Sequence, residues 1–267
     1  MEAQTLLKAG AALDAYEGLA AHYDEFTAGY DYDTWLTSLE ELALEHGLAG
    51  RRLLDVACGT GKSFEPMARR GYRVAACDLS PAMVERARAR APLGAALCVA
   101  DMRELPPLGQ FDLITCLDDS LNYALSREEL EASIGGMAAN LAPGGLLAFD
   151  LNSLGTYRRL FGADSVRESE GVVFCWRGRP RPAAGAGEVF EATVDVFARE
   201  GSGCWTRSTT THRQRHHPRE EVEAAVSTAG LELAAVRGQL PGARLERGPD
   251  EERHQKLVFF ARREVGA

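Results

Sequence analysis

The stretch Leu53-Leu54-Asp55-Val56-Ala57-Cys58-Gly59-Thr60-Gly61-Lys62-Ser63 carries the strongest structural signal in this chain of 267 residues. A short apolar run contains an acid near its end, and small residues follow at positions 57, 59 and 61. Small residues let the backbone turn sharply and let a ligand lie against the main chain. A helix-like segment continues to about Arg70, so the stretch predicts the strand, turn and helix of an α/β unit.

The same order repeats along the chain and predicts a doubly wound, seven-stranded, mostly parallel sheet with helices on both faces. Ser80-Pro81 is a typical helix start, because proline at the first helical position forfeits no hydrogen bond. Ser126, with Glu129 three residues later, forms a capping box that opens another helix. In such a sheet, ligands bind at the carboxyl ends of the strands. The predicted strands are 51–56, 72–77, 95–100, 111–117, 146–151, 231–237 and 256–262.

Two segments depart from this alternation. Residues 163–216 contain β-branched runs with a period of two, separated by Gly- and Pro-rich turns, which predicts an antiparallel β insertion. Residues 31–47 place apolar side chains on one helical stripe ahead of the first strand, with Asp31 or Asp33 as the N-cap and Gly47 as the stop. This pattern predicts a helix that leads into the sheet.

Charge and composition limit the classes of partner. Acidic residues outnumber basic ones 39 to 30, giving a net charge of −9, and a field of that sign repels phosphate backbones and anionic lipids. No basic-flanked apolar leader and no apolar run near ~18 residues is found, so neither secretion nor membrane spanning is expected. Six cysteines are too sparse for a disulfide scaffold and match no zinc spacing. We expect a cytoplasmic protein with reduced thiols, no metal, and no nucleic-acid or membrane partner.

Two other nucleotide-binding motifs compete for the glycine-rich stretch. A dinucleotide fingerprint in this register needs glycine at positions 57 and 62, where the chain has Ala57 and Lys62. A phosphate-binding P-loop ending in Gly61-Lys62-Ser63 needs a glycine five places before Gly61, where the chain has Val56. An NAD-dependent oxidoreductase is therefore an alternative that these residues disfavour.

Acids also end two later strands. Asp78 ends the second strand, where a carboxylate can accept hydrogen bonds from both hydroxyls of a ribose. Asp101 ends the third and is placed to accept one from the exocyclic amine of an adenine, while Met102 covers a ring face. Each acid alone could equally be a helix cap. Asp55, Asp78 and Asp101 in this order, together with the glycines, indicate one nucleotide site.

The pattern D-x-A-x-G-x-G at 55–61 resembles motif I of the class I S-adenosylmethionine-dependent methyltransferases. Segments 56–61, 116–123 and 143–150 are similar to the corresponding stretches of glycine N-methyltransferases and antibiotic-sugar N-methyltransferases, and the resemblance covers roughly residues 16 to 160. It implies a Rossmann-like methyltransferase fold, S-adenosyl-L-methionine as cofactor, and a small-molecule methyl acceptor, with nitrogen favoured over oxygen. A non-catalytic S-adenosylmethionine-binding module is the alternative outside enzymes.

The resemblance also implies a set of cofactor contacts. Tyr16 and Tyr23 are the best positional matches for an aromatic residue that folds over the methionine end of the cofactor, and a ring face there would attract the sulfonium. Either tyrosine could instead pack the N-terminal helix. The predicted cofactor residues are Tyr16, Tyr23, Asp55, Ala57, Gly59, Gly61, Asp78, Leu79, Asp101, Met102 and Leu117.

The predicted catalytic residues are Tyr123, Asp119 and His216. In the sugar N-methyltransferases a histidine falls near the position of Tyr123, so a phenol or a neighbour would take the proton here. An amine acceptor needs only to be neutral, whereas a hydroxyl benefits from a base. Further candidates near the expected site are Asn152, Trp176, His212 and His217, and the histidines are expected to be solvated or helix-capping rather than metal ligands.

Four parts of the chain are expected. Residues 1–50 form an N-terminal helical lid and residues 51–162 the cofactor-binding core. Residues 163–216 form the β insertion, which the resemblance places over the methyl end of the cofactor, and residues 217–267 complete the core sheet. The sequence does not fix the oligomeric state, and a homodimer is compatible with it.

Overall fold

The computed structural model describes residues 10, 12–181, 185–201 and 203–265. Residues 1–9 and 11 of the predicted lid, 182–184 and 202 of the predicted insertion, and 266–267 lie outside the described residues. Strands are numbered along the chain as β1 (Arg52–Val56), β2 (Arg73–Asp78), β3 (Ala96–Val99), β4 (Phe111–Cys116), β5 (Leu141–Asn152), β6 (Asp164–Ser169), β7 (Val172–Gly178), β8 (Val189–Arg199), β9 (Trp205–Arg215), β10 (Leu231–Leu240), β11 (Arg244–Glu246) and β12 (Lys256–Arg263).

Three helices begin at caps that the sequence predicted. Asp31 accepts the Thr34 amide at 3.0 Å, and Ser80 and Ser126 cap the two helices that were predicted to begin there. The helices are α1 (12–17), α2 (Tyr23–Phe26), α3 (Tyr32–Glu45), α4 (Phe64–Arg69), α5 (Pro81–Arg88), α6 (Arg127–Ala139), α7 (Leu154–Leu160) and α8 (Arg219–Thr228). Short 3₁₀ turns lie at Ala20–His22, Met102–Glu104 and Ser120–Tyr123.

The central sheet has the strand order β11-β10-β12-β5-β4-β1-β2-β3. Strands β1 to β5 pair in parallel, and β10, β11 and β12 extend the sheet with antiparallel pairs. The chain runs outward from β1 to β3 on one side and then returns to β4 and β5 on the other. The order therefore reverses between β1 and β4, and the carboxyl ends of these strands flank the crevice where ligands bind in such sheets.

Apolar side chains cover both faces of this sheet. One face packs against α6 and α8, through residues such as Ile134 and Val222, and the other packs against α3 and α4, through residues such as Trp35 and Phe64. Helices therefore cover both faces of the sheet, as the alternation of strands and helices in the sequence predicted. No helix in the described part of the chain is long and apolar enough to cross a bilayer.

The seven predicted strands are present, with one addition. A short eighth strand, β11, pairs with β10 after a tight turn at 241–243, and three residues are too few for a periodic pattern. Strand β5 begins before the predicted start at 146, and Phe111 pairs with Leu141 but Leu113 pairs with Leu146. The residues between them bulge out, and Gly144 adopts φ +78° there.

The predicted β insertion is a separate antiparallel sheet with the order β6-β7-β8-β9. Its inner face packs on Leu19 through Phe174 and Val194, and on Tyr157 and Phe161 of the α7 region. The insertion and the N-terminal segment thus lie together over the crevice of the central sheet. The division of the chain into four parts stays a prediction.

Candidate active site

The glycine-rich stretch turns as the sequence predicted. Ala57, Gly59 and Gly61 have φ values of +57°, +53° and +88°, which is the left-handed region that favours glycine. The Gly59 amide donates to Asp78 Oδ2 at 2.8 Å, so the end of β2 holds the turn that follows β1. At Gly61 a Cβ atom would lie 2.6 Å from the Phe64 ring, so packing against α4 requires this glycine.

A first cavity lies at the carboxyl ends of β1 to β4, and we call it the cofactor cavity. It is lined by nine of the eleven predicted cofactor residues, and Asp55 and Gly61 are the two exceptions. The nine are Tyr16, Tyr23, Ala57, Gly59, Asp78, Leu79, Asp101, Met102 and Leu117.

Asp55, which was predicted to contact the cofactor, does not line the cavity. Its carboxylate is 1% exposed and accepts hydrogen bonds from Ser63 Oγ and, at 2.6 Å, from Thr115 Oγ1. Burial raises the pKa of Asp55 to about 6, against the opposing effect of the two hydroxyls. Asp55 therefore positions Ser63, which lines the cavity, and can affect a ligand there only through Ser63.

The other two acids face the cavity in different states. Asp78 Oδ1 accepts the Ser80 amide at 2.9 Å and Oδ2 the Gly59 amide, which leaves lone pairs on both oxygens. Burial raises the pKa of Asp78, and these amides oppose the shift. Asp101 is instead bound by Arg103, through Nη2 at 2.6 Å and Nε at 2.9 and 3.1 Å. Arg103 also lines the cavity and was missed in the sequence, where it stands as one of many arginines.

The N-terminal segment is tied to this cavity by polar contacts. Thr60 Oγ1 donates to Asp24 at 2.6 Å, and Ser80 Oγ donates to Glu17 at 2.6 Å. Tyr16 and Tyr23 are the chain neighbours of Glu17 and Asp24, and their ring centroids lie 6.1 Å apart. Burial raises the pKa of both phenols well above the ordinary value, so both remain neutral at physiological pH.

A second cavity of about 760 Å³, which we call the acceptor cavity, opens beside the first. The ends of β5, β10 and β12 form one side of it, and α7 and the insertion form the other. The two cavities share the wall formed by Tyr16, Tyr23, Tyr32, Asp118 and Tyr123.

A pair of acids after β4 forms part of the acceptor cavity. Asp118 and Asp119 both have positive φ, and their amides donate to the two oxygens of the buried Asp150 at 2.8 and 2.9 Å. Lys256 Nζ lies 2.9 Å from Asp119, 2.9 Å from Asp150 and 3.5 Å from Asp118. Burial alone would lower the pKa of Lys256. The three carboxylates raise it by more, so the pKa lies well above its ordinary value and the side chain is charged. Lys256 was not predicted from the sequence, where the only signal is a single charged residue at the start of an apolar strand.

Tyr123 pairs with His212, not with His216. Tyr123 Oη lies 2.7 Å from His212 Nδ1, and Thr210 Oγ1 lies 3.3 Å from His212 Nε2. Burial lowers the pKa of His212 to about 4, so the imidazole is neutral at pH 7. His212 lines the acceptor cavity, as do Asp119, Asn152 and Trp176.

His216, which was predicted to be catalytic, lies outside both cavities. It accepts the Gly187 amide at 3.2 Å, and its Nε2 lies 3.3 Å from Glu251. Of the two expected roles, solvated or helix-capping, the first does not hold, because His212, His216 and His217 are all 3% exposed or less. The signal that separates them is the strand alternation of β9, which buries positions 210, 212 and 214 and ends before 216.

Replacing His212 with glutamine is expected to make stability less sensitive to acid. The unfolded imidazole titrates near ~6.5 and the folded one near 4, so the unfolded state binds more protons between these values. Stability contributed by the neutral imidazole is therefore lost as the pH falls through this window. Between pH 7 and about pH 4.5, the free energy of unfolding measured with urea should fall by about 2 kcal/mol less in His212→Gln than in the parent. His22→Gln, which lies outside both cavities, is the control and should lose as much stability in acid as the parent does. If His212→Gln also lost as much as the parent, the burial argument would be contradicted.

Comparisons with known proteins agree on one class. Residues 53–145 match a family model described as a methyltransferase domain. YqeM of Bacillus subtilis (strain 168), which is named as a methyltransferase, is 30% identical over 240 residues that cover 87% of this chain and 94% of that protein. The dTDP-3-amino-3,6-dideoxy-α-D-glucopyranose N,N-dimethyltransferase of Streptomyces fradiae is 29% identical over 82% of this chain and 85% of its own. The S-adenosylmethionine-bound structure of CalS10, an amino pentose methyltransferase from Micromonospora echinaspora involved in calicheamicin biosynthesis, superposes with a TM-score of 0.69 and 27% identity, covering 91% of this chain and 96% of that one.

Proposed function

Because the chain belongs to the S-adenosylmethionine-dependent methyltransferases, we propose that it methylates the amino nitrogen of a small, sugar-like molecule. Membership in this family sets aside the NAD-dependent oxidoreductase and the non-catalytic module. The choice of an amino sugar is supported by the names of relatives that act on amino sugars. The geometry of the acceptor cavity supports it independently.

The residues of the cofactor cavity fit S-adenosylmethionine. Asp78 keeps lone pairs for ribose hydroxyls, and the left-handed turn at Gly59 exposes main chain where the amino-acid end of the cofactor needs room. Asp101, Arg103, Met102 and Leu117 would surround the adenine, since they follow β3 and β4 along the same edge. When bound, the cofactor supplies a methyl group on a positively charged sulfur.

The wall shared by the two cavities is the observation that carries the proposal. The faces of Tyr16 and Tyr23 attract a sulfonium, and both phenols are neutral, so neither acts as a competing nucleophile. Asp118, in the same wall, adds negative charge beside it. A methyl group held there faces the acceptor cavity, and in-line displacement needs little more than this positioning.

Tyr123, His212 and Asp119 suit an amine acceptor. A free amine enters largely protonated at pH 7 and must lose a proton before it attacks. The proton is lost to solvent through the open cavity, and Tyr123 Oη, held 2.7 Å from the neutral His212 Nδ1, can accept a hydrogen bond from the neutral amine and orient its lone pair. Asp119 lies on the same cavity, and its carboxylate attracts the ammonium form to the site.

Transfer of labelled methyl from S-adenosylmethionine to paired acceptors tests the proposal. We expect methylation of methyl 3-amino-3-deoxy-α-D-glucopyranoside and none of methyl α-D-glucopyranoside, with products identified by mass. Transfer to the hydroxyl compound alone would contradict it. A Tyr123→Phe variant should lower kcat by roughly 10²-fold or more, because the amine loses the hydroxyl that orients its lone pair.

The proposal also includes a cytoplasmic location, a small-molecule acceptor as the only partner class, and a homodimer compatible with the fold. None of the six cysteines, all of which lie in the described part of the chain, forms a disulfide bond, which supports a reducing compartment. The net charge of −9 supports the exclusion of nucleic acid as a partner.

A further inference from the structure

Three polar side chains form a row across the floor of the acceptor cavity. Asn152 on β5 pairs with Lys256 on β12, and Lys256 pairs with Gln239 on β10. Residues directly opposite each other in neighbouring strands project from the same face of a sheet. All three line the acceptor cavity, and we call them the polar row. Since neighbouring strands lie about 4.8 Å apart, the row spans roughly 10 Å, which is enough for a six-membered ring and its substituents.

Two members of the polar row already have partners within the protein. Asn152 Nδ2 donates to Gln214 at 3.1 Å. Lys256 directs its ammonium group to Asp118, Asp119 and Asp150. The end of the row at Asn152 therefore lies toward Gln214 and Asp119, where Gln214 Nε2 donates to Asp119 at 2.6 Å, and this is the end at which the reaction is proposed to occur.

Gln239 is different, because its Oε1 has no donor. The side chain is 2% exposed, and among the described residues only Trp35 Nε1 is likewise a buried side-chain polar atom without a hydrogen-bond partner. Trp35 lies in the core, whereas Gln239 lines a cavity. Native proteins rarely leave such an oxygen unpaired, and each case calls for a missing partner.

We propose that the polar row recognises a hydroxyl group of the methyl acceptor, with Gln239 Oε1 accepting its hydrogen bond. The proposal rests on the proposed function only in that the acceptor cavity holds the acceptor. A neutral amide oxygen needs a donor, and the burial of Gln239 disfavours a charged donor, which would lose its hydration there. A hydroxyl fits both conditions, and it places the acceptor with its hydroxylated edge at Gln239 and its nitrogen at Tyr123.

The β10–β11 turn completes this end of the cavity. Pro241, Gly242 and Ala243 line it, and Gly242 and Ala243 both have positive φ, at +74° and +59°. The short strand β11, which the sequence did not predict, returns the chain against β10 and fixes this turn beside Gln239. The turn and Gln239 together set which substituent the cavity accepts.

Binding to the protein saturated with S-adenosylhomocysteine tests the proposal. The probes are methyl 3-amino-3-deoxy-α-D-glucopyranoside and 4-aminotetrahydropyran, which has the same ring and amine without the hydroxyls. We expect the parent to bind the hydroxylated probe about 10-fold to 100-fold more tightly, because the other probe leaves Gln239 unpaired. Gln239→Leu should reduce this preference below about threefold and leave S-adenosylhomocysteine affinity unchanged, while Gln239→Glu, which keeps an acceptor oxygen, should retain it.

Gln255→Leu is the matched control, because Gln255 lines the same cavity but is exposed at its rim. We expect it to keep the preference of the parent. An absent preference in the parent, or one that survives in Gln239→Leu, would overturn the proposal. If neither probe is methylated while the preference and its loss are both observed, the proposed amine chemistry fails and the polar row stands.

Discussion

Replacing Lys256 with methionine is expected to destabilise the protein by about 3–5 kcal/mol, because it removes one partner of a buried ion cluster. Lys256 is 5% exposed and contacts the carboxylates of Asp118, Asp119 and Asp150. Without the ammonium group these acids repel one another in a poorly solvated place. Urea unfolding at pH 7.5 measures the loss. Lys62→Met is the matched control, since Lys62 is only partly buried, and its loss should be near 1 kcal/mol.

The loss in Lys256→Met should depend on pH in a defined direction. Burial already raises the pKa of Asp118 and Asp150, with Lys256 opposing the shift, and removing the lysine raises both further. A raised acid pKa means that the folded state binds more protons, so the variant regains stability relative to the parent as the pH falls toward 5. Adding Asp150→Asn to Lys256→Met should recover part of the loss at pH 7.5. A loss that stays constant with pH and resists this second substitution would contradict the ionic explanation.

The sequence predicted the cofactor side because its signals are local. Each strand, turn and helix unit is encoded in about thirty contiguous residues. A parallel sheet then brings the ends of successive strands to one edge, so Asp78 and Asp101, which are 23 positions apart in the sequence, reach one cavity. The topology of the sheet was enough to predict that these residues lie close together, and no side-chain contact had to be known.

Asp55 marks the limit of that argument. It lies within β1, one residue before the strand ends, and its side chain points into the core, where Ser63 and Thr115 bind it. Strand alternation decides the direction in which a side chain points, and a motif gives only its position. An acid in a motif can therefore act on the turn that binds a ligand and not on the ligand itself.

The sequence named several residues of the acceptor side, but their contacts could not be predicted because they meet through long-range pairing. Asn152, Gln239 and Lys256 become neighbours only through the registers of β5, β10 and β12. Tyr123 meets His212 across 89 positions, through the packing of the insertion on the core. No periodic or motif signal carries such information. Relatives with the same cofactor side can differ here, which makes the acceptor the property least accessible from sequence.

Replacing Asp78 with asparagine is expected to weaken S-adenosylhomocysteine binding about 100-fold, which corresponds to about 3 kcal/mol. Asp78 uses one lone pair on each oxygen for the amides of Ser80 and Gly59 and keeps the rest for a ribose. Asparagine retains the shape but loses the charge and one acceptor. Isothermal titration calorimetry with the parent and the variant measures the change.

Asp101→Asn is the control for Asp78→Asn, because it makes the same substitution at the neighbouring strand end. Arg103 donates to both oxygens of Asp101, so this carboxylate has less capacity left for a ligand. We therefore expect its loss to be about tenfold or smaller. Equal losses for the two variants would mean that net charge in the cavity, and not a ribose contact at Asp78, determines affinity. If Asp78→Asn left the affinity unchanged, Asp78 would not be the residue that binds the ribose. Asp78 is the only acid in the described lining of the cofactor cavity that ends β2.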